Sequence, residues 1–531
     1  MVRPISASPP AKVEKDIEDL AGGALVTFVG KLGRLSRGMF IWVVTLLCGL
    51  EVQGLYSLTW GIVTTMNKVA RCGLQRGVVR FVVEARTVGD QEGIERSLGA
   101  ALAIGLAVSC LVAGGGTLAA DWLAAFYEMP IARAVGIMVW TAPFLTAAWI
   151  FTSATRALRI MRFEVYVMSI SIPLILLAGG LAVGFAGLGF EGIAWIQLAA
   201  VMGGSILAAH YFRRYFSLGN AVRKWGDQMP WKALGLFSLP VMLTDLIYST
   251  LTQLDVLVLG WFLSQEQVYL VGLYALTRRM ASVLLKAPQA FDPIFSSVVS
   301  ELSFQDRQSE LGERFVVISR WILTVNLPIF VSLALLGGNL LLELGGERSL
   351  SLASDIKTGG QILFLLCCGM TVQAVFAPID PLLAMSGRPY LNLFNNILWL
   401  AANFLLNIWL IGRYGIVGAA WGAALAAVFV NLIRLVQIYV ILGIFPFRRT
   451  QGKPLLAASA ALLAGWSADS LLGHGGLVGV LVPLSAIGGS YVFVLYLLGI
   501  EAEDRALLAR VGQRLKAWYR RYFTAIRRGP G

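Results

Sequence analysis

The chain has 531 residues, of which 57% are hydrophobic and only 14% are charged, and its mean hydropathy is +0.74. A soluble chain of this length carries about 25% charged residues, whereas apolar runs of about 20 residues are long enough to cross a hydrocarbon layer of about 30 Å. The composition therefore excludes soluble enzymes, nucleic-acid-binding domains and secreted disulfide scaffolds, and it predicts an all-α polytopic membrane protein. The net charge of +13 does not indicate nucleic acid as a partner, because the basic residues are concentrated in alternate loops.

Fourteen apolar runs are predicted to be transmembrane helices. In chain order they cover residues 22–47, 54–80, 97–119, 131–155, 164–186, 190–212, 232–262, 269–300, 316–342, 356–385, 390–411, 415–443, 454–472 and 476–498. Prolines lie inside several of these runs, and neighbouring groups are expected to satisfy the carbonyls that each proline leaves without a donor.

These runs predict six domains or segments. They are an N-terminal segment at 1–21, an N-lobe of six spans at 22–215, a linker at 216–231, a C-lobe of six spans at 232–443, two further spans within 454–498, and a basic tail at 499–531. No connecting loop is long enough to hold a catalytic domain, so the protein is not expected to be an enzyme.

The positions of Lys and Arg predict the orientation in the membrane. Most of the 43 basic residues lie in the N-terminal segment, the linker, alternate loops and the tail. Short loops that are rich in Lys and Arg stay in the cytoplasm. Both termini are therefore predicted to be cytoplasmic, with the loops at 49–53 and 469–475 outside. The first 20 residues lack the apolar core of a signal peptide, so the first span is expected to act as an uncleaved membrane signal. The five cysteines show neither metal-ligand spacing nor a disulfide framework, and no cofactor is predicted.

An internal repeat relates the two predicted lobes. The sequence GLYSL opens the second span at residue 54, and GLYAL opens the eighth span at residue 272, which is 218 residues later. GIAW at 192 and GAAW at 418, and likewise Arg162 and Arg388, are separated by 226 residues. Six spans separate the copies, so both copies have the same orientation in the membrane. Parallel duplication of this kind is typical of transporters whose substrate path lies between the repeats.

Basic residues inside the predicted spans are candidates for binding an anionic substrate, because a charge at bilayer depth normally faces a cavity or a partner. The candidates are Lys31, Arg34, Arg37, Lys68, Arg71, Arg278, Arg279 and Lys286. The spacing places Lys31, Arg34 and Arg37 on one helical face, and it groups Lys68 with Arg71 and Arg279 with Lys286 in the same way. Arg76 and Arg434 lie near span ends, where long side chains reach the headgroups, and snorkelling is the favoured interpretation for both.

The repeat makes Lys68 and Lys286 equivalent, since each follows its Gly-Leu-Tyr motif by the same 14 residues. The two ammonium groups are therefore predicted to face one anionic group of a substrate from opposite lobes. The alternative is that each lysine forms a structural ion pair with an acid such as Glu84 or Asp292. Among the acidic residues, Asp255 lies in the middle of an apolar span. It is predicted either to carry a coupling proton or to be the fixed ion-pair partner of an arginine.

Over residues 22–443 the sequence resembles the polysaccharide transport family of lipid-linked oligosaccharide flippases, within the multidrug/oligosaccharidyl-lipid/polysaccharide exporter superfamily. The resemblance rests on GLY at 54, GL at 73, VRF at 79, LD at 254, GLYAL at 272, QAFDP at 289, SEL at 300, GRP at 387 and YGIVGAAW at 414.

The resemblance implies that the protein moves an undecaprenyl-pyrophosphate-linked sugar chain from the inner to the outer leaflet of a bacterial cell membrane. Two lobes would enclose a V-shaped cavity that opens alternately to each side, and a glycan polymerase, a ligase or export machinery would be partners. Three alternatives remain open. They are the lipid II flippase of peptidoglycan synthesis, a multidrug or cation antiporter of the same superfamily, and an integral-membrane glycan polymerase or ligase.

Overall fold

The computed structural model describes residues 10–217, 231–305, 307–345, 353–445, 448–472 and 476–499, and within the first helix it describes side chains from residue 36 onward. The side chains of Lys31 and Arg34, most of the predicted linker at 216–231 and nearly all of the basic tail lie outside the described residues. Every regular element within the described ranges is a helix.

In the described part of the first half, residues 10–217, the chain forms nine α-helices. They are α1 (Pro10–Ala70), α2 (Leu74–Thr87), α3 (Gln91–Leu118), α4 (Ala120–Tyr127), α5 (Ala132–Met138), α6 (Thr141–Ala157), α7 (Arg162–Glu164), α8 (Ile172–Ala186) and α9 (Gly189–Phe212). A π-helical segment, Val165–Ser171, joins α7 to α8.

Seven α-helices lie in the described parts of the second half, between residues 231 and 445. They are α10 (Trp231–Phe262), α11 (Val268–Ala281), α12 (Lys286–Phe304), α13 (Gln308–Gly345), α14 (Ala353–Phe376), α15 (Ile379–Met385) and α16 (Pro389–Leu442). A final pair, α17 (Gly452–Leu472) and α18 (Gly476–Leu497), packs on α13 through Leu327, Val331 and Leu336.

Eleven helical segments within the described residues are long and apolar enough to cross a membrane, so the polytopic all-α fold is confirmed. Two of these segments, Ser36–Thr87 and Pro389–Leu442, are 52 and 54 residues long. The first contains the predicted span at 54–80 and the end of the one at 22–47, and the second corresponds to the predicted spans at 390–411 and 415–443. Helix α17 coincides with the predicted span at 454–472 but is not among the eleven. The total of fourteen spans therefore stays a prediction.

Helix α1 reverses direction at Gly49. At 1.5 Å per residue its 61 residues would extend roughly 90 Å, about three times the thickness of a hydrocarbon layer. Gly49 has φ 89° and ψ 168°, which are not helical values. The rings of Phe40 and Tyr56, which flank Gly49 at nearly equal sequence distances, lie 5.5 Å apart. The two arms of α1 therefore run antiparallel and side by side.

Helix α16 reverses in the same way at Gly415, where φ is 57° and ψ is −138°. The side-chain amides of Asn395 and Gln437 exchange two hydrogen bonds of 2.8 and 2.9 Å across the hairpin. A Cβ placed on Gly422 would lie 3.3 Å from the backbone nitrogen of Asn407, so a side chain at this position would require the facing arm to shift slightly.

Pro288 and Pro328 each leave a carbonyl without a helical donor, and at both of these positions another helix supplies one. Pro288 has no N–H for the carbonyl of Leu284, which accepts a hydrogen bond of 2.9 Å from Asn326 Nδ2. Pro328 likewise frees the carbonyl of Thr324, and the hydroxyl of Tyr491 in α18 donates to it at 2.8 Å. The expectation that neighbouring groups satisfy these carbonyls is confirmed at both positions. Because of the first interruption, residues 282–285 between α11 and α12 form a 3₁₀ helix.

The two halves approach most closely at the glycines of the repeated Gly-Leu-Tyr motif. A Cβ placed on Gly54 would overlap the carbonyl oxygen of Val268, and one placed on Gly272 would overlap that of Leu50. The two contacts have the same geometry, since Val268 and Leu50 each precede the glycine of their own half by four residues. The backbones of α1 and α11 therefore touch at positions that the repeat relates, and only glycine fits at either position.

Candidate functional site

Arg37 of α1 and Arg279 of α11 lie close together where the two halves meet. We call these two residues, together with Arg278, which precedes Arg279 in α11, the central arginine cluster. Arg279 Nη2 lies 4.0 Å from the position that a Cβ on Gly38 would take, next to Arg37. The guanidinium carbon of Arg37 lies 5.9 Å from the centre of the Trp60 ring. Within the described part of the chain, neither Arg37 nor Arg279 pairs with a carboxylate.

Arg278 has a carboxylate partner. Its Nη1 lies 3.7 Å from Asp255 Oδ2, and Asp255 is only 2% exposed. The other carboxylate oxygen accepts hydrogen bonds of 3.0 Å from the side-chain amides of Asn403 and Asn407 in α16. Asp255 therefore has an arginine partner, as one of the two interpretations of this residue required. Whether it also carries a proton stays a prediction.

Tyr56, in the second arm of α1, connects α1 to α9. The hydroxyl of this buried side chain donates to Gln197 Oε1 at 3.0 Å, and both residues are almost completely buried. Tyr274 is the equivalent residue of the second half and is also fully buried, beside Leu254 and Val256. The tyrosine of each motif is thus a core residue that holds the helix carrying the arginines.

A second group of cations, the basic strip, consists of Lys68, Arg71 and Arg76 at the junction of α1 and α2. Arg71 is 9% exposed, its Nε donates to the carbonyl of Asn67 at 3.2 Å, and its guanidinium carbon lies 5.5 Å from the centre of the Trp149 ring. Lys68 is half-buried and lies within electrostatic reach of both arginines. Lys68 and Arg71 are therefore neighbours, as their spacing predicted.

Arg279 and Lys286 are not related by a continuous α-helix. The spacing of seven residues placed them on one face of an α-helix. However, the 3₁₀ segment at 282–285 lies between them, and a 3₁₀ helix has 3.0 residues per turn instead of 3.6. The face shared by these two residues therefore stays a prediction, because the α-helix that the spacing assumed is interrupted between them. The cause is Pro288, which prevents the regular hydrogen bond at Leu284.

Asp245 of α10 connects the two halves at the basic strip. Its carboxylate accepts a hydrogen bond of 2.9 Å from Gln75 Nε2 and lies 3.3 Å from Arg76 Nη2. Two more pairs lie beside it along α2. The Arg80 guanidinium carbon is 4.7 Å from the centre of the Phe237 ring, and a Cβ on Gly77 would lie 2.7 Å from Ser238 Oγ. We call this set the α2–α10 contact.

Arg434 does not extend to the surface. It is 2% exposed, its Nη2 lies 3.3 Å from Asp380 Oδ1, and it donates to Asn396 Oδ1 at 3.2 Å. The snorkelling prediction for Arg434 was therefore wrong, because α14 and α15 bring a carboxylate to a residue 54 positions away in sequence. Arg76 is exposed over 57% of its side chain but also contacts Asp245.

Sequence reasoning missed the polar partners of these charges. Gln75, Asn403 and Asn407 were not candidates, although the last two are amides four residues apart within an apolar span and therefore share a helical face. No group of three or more metal-ligating side chains occurs in the described part of the chain. The site offers guanidinium and ammonium groups, which bind phosphate as planar forks and as point charges respectively.

The fold matches solved structures of membrane transporters over most of their length. The chain superposes on "Lipid II flippase MurJ, inward closed conformation" with a TM-score of 0.71 and 13% identity, covering 90% of this chain and 98% of that one. An inward-facing MATE multidrug resistance transporter of the MOP superfamily gives a TM-score of 0.67 and 12% identity over 78% and 94% of the two chains. The MATE multidrug transporter DinF-BH gives a TM-score of 0.59 and 16% identity over 81% and 97%. The class of protein is therefore a polytopic membrane protein with this transporter fold.

The sequence also matches the family model described as "Polysaccharide biosynthesis protein" over residues 54–351, which is more than half of the chain. The chain belongs to this family, and the resemblance carried by the Gly-Leu-Tyr and related motifs is confirmed. Comparison with curated protein sequences gave no match.

Proposed function

We propose that the protein flips an undecaprenyl-pyrophosphate-linked oligosaccharide from the inner to the outer leaflet of the bacterial cell membrane, by alternating access, for cell-surface polysaccharide biosynthesis. The observation that carries this proposal is the central arginine cluster, in which Arg37 and Arg279 come from different halves and, among the described residues, have no carboxylate between them.

An anionic headgroup accounts for this arrangement better than a neutral or cationic one. Two guanidinium groups that lie close together repel each other, and an anion placed between them relieves the repulsion. A diphosphate offers several acceptor oxygens, and each charge-assisted hydrogen bond to a guanidinium contributes about 1.5–3 kcal/mol. The undecaprenyl chain would stay in the surrounding bilayer while the headgroup and sugars pass between the halves.

The close contact at Gly54 and Gly272 supports the alternating part of the proposal. The two halves touch there through backbone atoms that the repeat relates, so rotation of one half about this contact changes the separation at the distant α2–α10 contact. Both termini would face the cytoplasm, and a polymerase, a ligase or export machinery would receive the flipped glycan.

The same chemistry would suit lipid II, which also carries a diphosphate. An organic cation, in contrast, would meet guanidinium groups that lack a carboxylate partner in the described part of the chain, which disfavours a multidrug substrate. The identity of the accumulating lipid in the experiment below separates the two flippase alternatives.

Arg37→Ala and Arg279→Ala should each lower the surface polysaccharide and raise the lipid-linked oligosaccharide on the inner leaflet, through a loss of about 10- to 150-fold in substrate affinity. The measurement is leaflet-resolved quantification of undecaprenyl-linked glycans at matched expression. Arg413→Ala is the matched control, because Arg413 is exposed beside the Gly415 turn and contacts only the Trp409 ring among the contacts described for it. Wild-type polysaccharide from the Arg37→Ala/Arg279→Ala double variant would contradict the proposal. Accumulation of lipid II instead would reassign the substrate.

A further inference from the structure

The α2–α10 contact joins a single carboxylate to a surface that carries three positive charges. Asp245 of the second half is bound by Gln75 and Arg76 of the first half. Lys68 and Arg71 also lie within electrostatic reach of this same carboxylate. The single negative charge of Asp245 therefore faces the three positive charges of the basic strip, so the four groups together have a net charge of +2.

The carboxylate of Asp245 makes the contacts that a phosphate group at this position would make. A carboxylate and a phosphate both accept from a guanidinium and from an amide N–H, with similar heavy-atom distances. The side chain of Asp245 is 16% exposed, whereas that of Arg76 is 57% exposed. An ion pair with one largely exposed partner is weak, typically below about 1 kcal/mol, so an incoming anion can displace it.

The rest of the contact packs tightly where α10 passes α2, about two helical turns before Asp245. Ser238 is 2% exposed and lies against α2, where its Oγ would be 2.7 Å from a Cβ on Gly77. A Cβ on Gly73 would overlap the Ser238 carbonyl oxygen. Separation of α2 from α10 would therefore expose Ser238 to solvent, which makes this residue a sensitive reporter of the contact.

We propose that Lys68, Arg71, Gln75 and Arg76 form a pyrophosphate-binding site at the α2–α10 contact, that Asp245 occupies this site as an internal stand-in for the substrate, and that the substrate's diphosphate opens the contact by displacing Asp245. The inference rests on the proposed function for the identity of the anion. The charge balance favours the exchange, since the two negative charges of a diphosphate replace the single charge of Asp245 and lower the net charge of the site from +2 to +1. The site is separate from the central arginine cluster. A headgroup that enters from the end of the fold where α2 ends and α10 begins would reach this site first.

The test uses Ser238→Cys in a full-length variant whose five native cysteines are replaced, and it measures the rate of reaction with a maleimide. The near-isosteric cysteine should be protected in the closed protein. Undecaprenyl pyrophosphate should raise the reaction rate, and undecaprenol, which has no phosphate, should not. Asp245→Asn should raise the rate without any lipid and should bind undecaprenyl pyrophosphate about fivefold more tightly, which corresponds to ~1 kcal/mol.

Two variants control for charge and for folding. Glu84→Gln adds the same positive charge to α2, but Glu84 pairs with Arg80 of its own helix, so Ser238→Cys should stay protected. Asp245→Glu keeps the carboxylate and should also stay protected. Continued protection in Asp245→Asn would overturn this inference alone. Exposure in Asp245→Asn, without any response of the parent protein to undecaprenyl pyrophosphate, would overturn the diphosphate as the ligand of this site, whereas the proposed function would still be decided by the Arg37 and Arg279 variants.

Discussion

Lys68 and Lys286 occupy equivalent positions of the repeat but not equivalent local structures. Lys68 belongs to an α-helical arm, whereas Lys286 follows the 3₁₀ segment that Pro288 imposes. Lys286 also interacts with another group in the protein. The proposal that both ammonium groups serve one diphosphate is therefore tested best by comparing the two residues directly.

Lys68→Ala and Lys286→Ala should each weaken transport by roughly 10- to 150-fold in affinity, because a charge-assisted contact contributes about 1.5–3 kcal/mol. Lys→Arg at either position should retain part of the activity, since the charge persists. The two losses should be non-additive if one ligand joins the residues. The readout is lipid-linked oligosaccharide on the inner leaflet, and wild-type transport by the double alanine variant would leave the lysines as ordinary ion-pair partners.

Asp255→Asn should destabilise the protein, because Arg278 would lose its carboxylate in a largely buried site. Breaking a buried pair by removing one partner costs about 3–5 kcal/mol, and the partial exposure of Arg278 favours the lower end. Thermal unfolding in detergent measures the loss, and the additional change Arg278→Met should recover part of it.

A second measurement on Asp255→Asn addresses coupling. If Asp255 carries a proton during transport, the variant should lose the pH dependence of flipping while it remains in the membrane. An unchanged pH dependence would assign the residue to the ion pair alone.

At the scale of elements, the last two helices complete the hydrogen bonding of α13. Tyr491→Phe removes the only donor described for the Thr324 carbonyl that Pro328 leaves free. An unsatisfied buried carbonyl costs about 1–3 kcal/mol, so the melting temperature should fall. Tyr496→Phe on the same helix is the matched control, since Tyr496 is 71% exposed and should tolerate the change. Equal melting temperatures for the two variants would mean that water replaces the hydroxyl.

The sequence was sufficient to predict structural elements that depend on neighbouring residues. It was insufficient to predict contacts between residues that are far apart in the chain. Apolar runs predicted the helices, and each Gly-Leu-Tyr motif lies within the first turns of its helical segment, after Gly49 in α1 and after Val268 in α11. The Asp245–Gln75 contact has no local signal, because it joins residues 170 positions apart. The same holds for Arg434 and Asp380, whose pairing depends on how α15 packs against α16. The 3₁₀ segment at 282–285 lay within reach of sequence reasoning, since Pro288 follows it closely.

The whole molecule should cross the membrane with both termini inside. Single cysteines at Glu51 and Ser470, in a cysteine-free variant, should react with an impermeant thiol reagent in intact cells. A cysteine at Arg448 should react only after the membrane is opened. The reason is the concentration of Lys and Arg in the loops on one side. Labelling of Arg448→Cys in intact cells would overturn this orientation, and with it the direction assigned to transport.

The contact between Gly54 and Gly272 also constrains how the sequence can change over time. Under the duplication that the repeat predicts, an ancestral chain of half this length would have paired with a second copy of itself, and one codon would have specified the residue on both sides of the crossing. After the copies were joined, two codons came to specify the two sides and could mutate independently. The opposing carbonyl oxygen still excludes a side chain at each position, so a change at one position would not permit a larger residue at the other. Among descendants of the joined gene, these two glycines should therefore persist after the surrounding sequences of the halves have drifted apart.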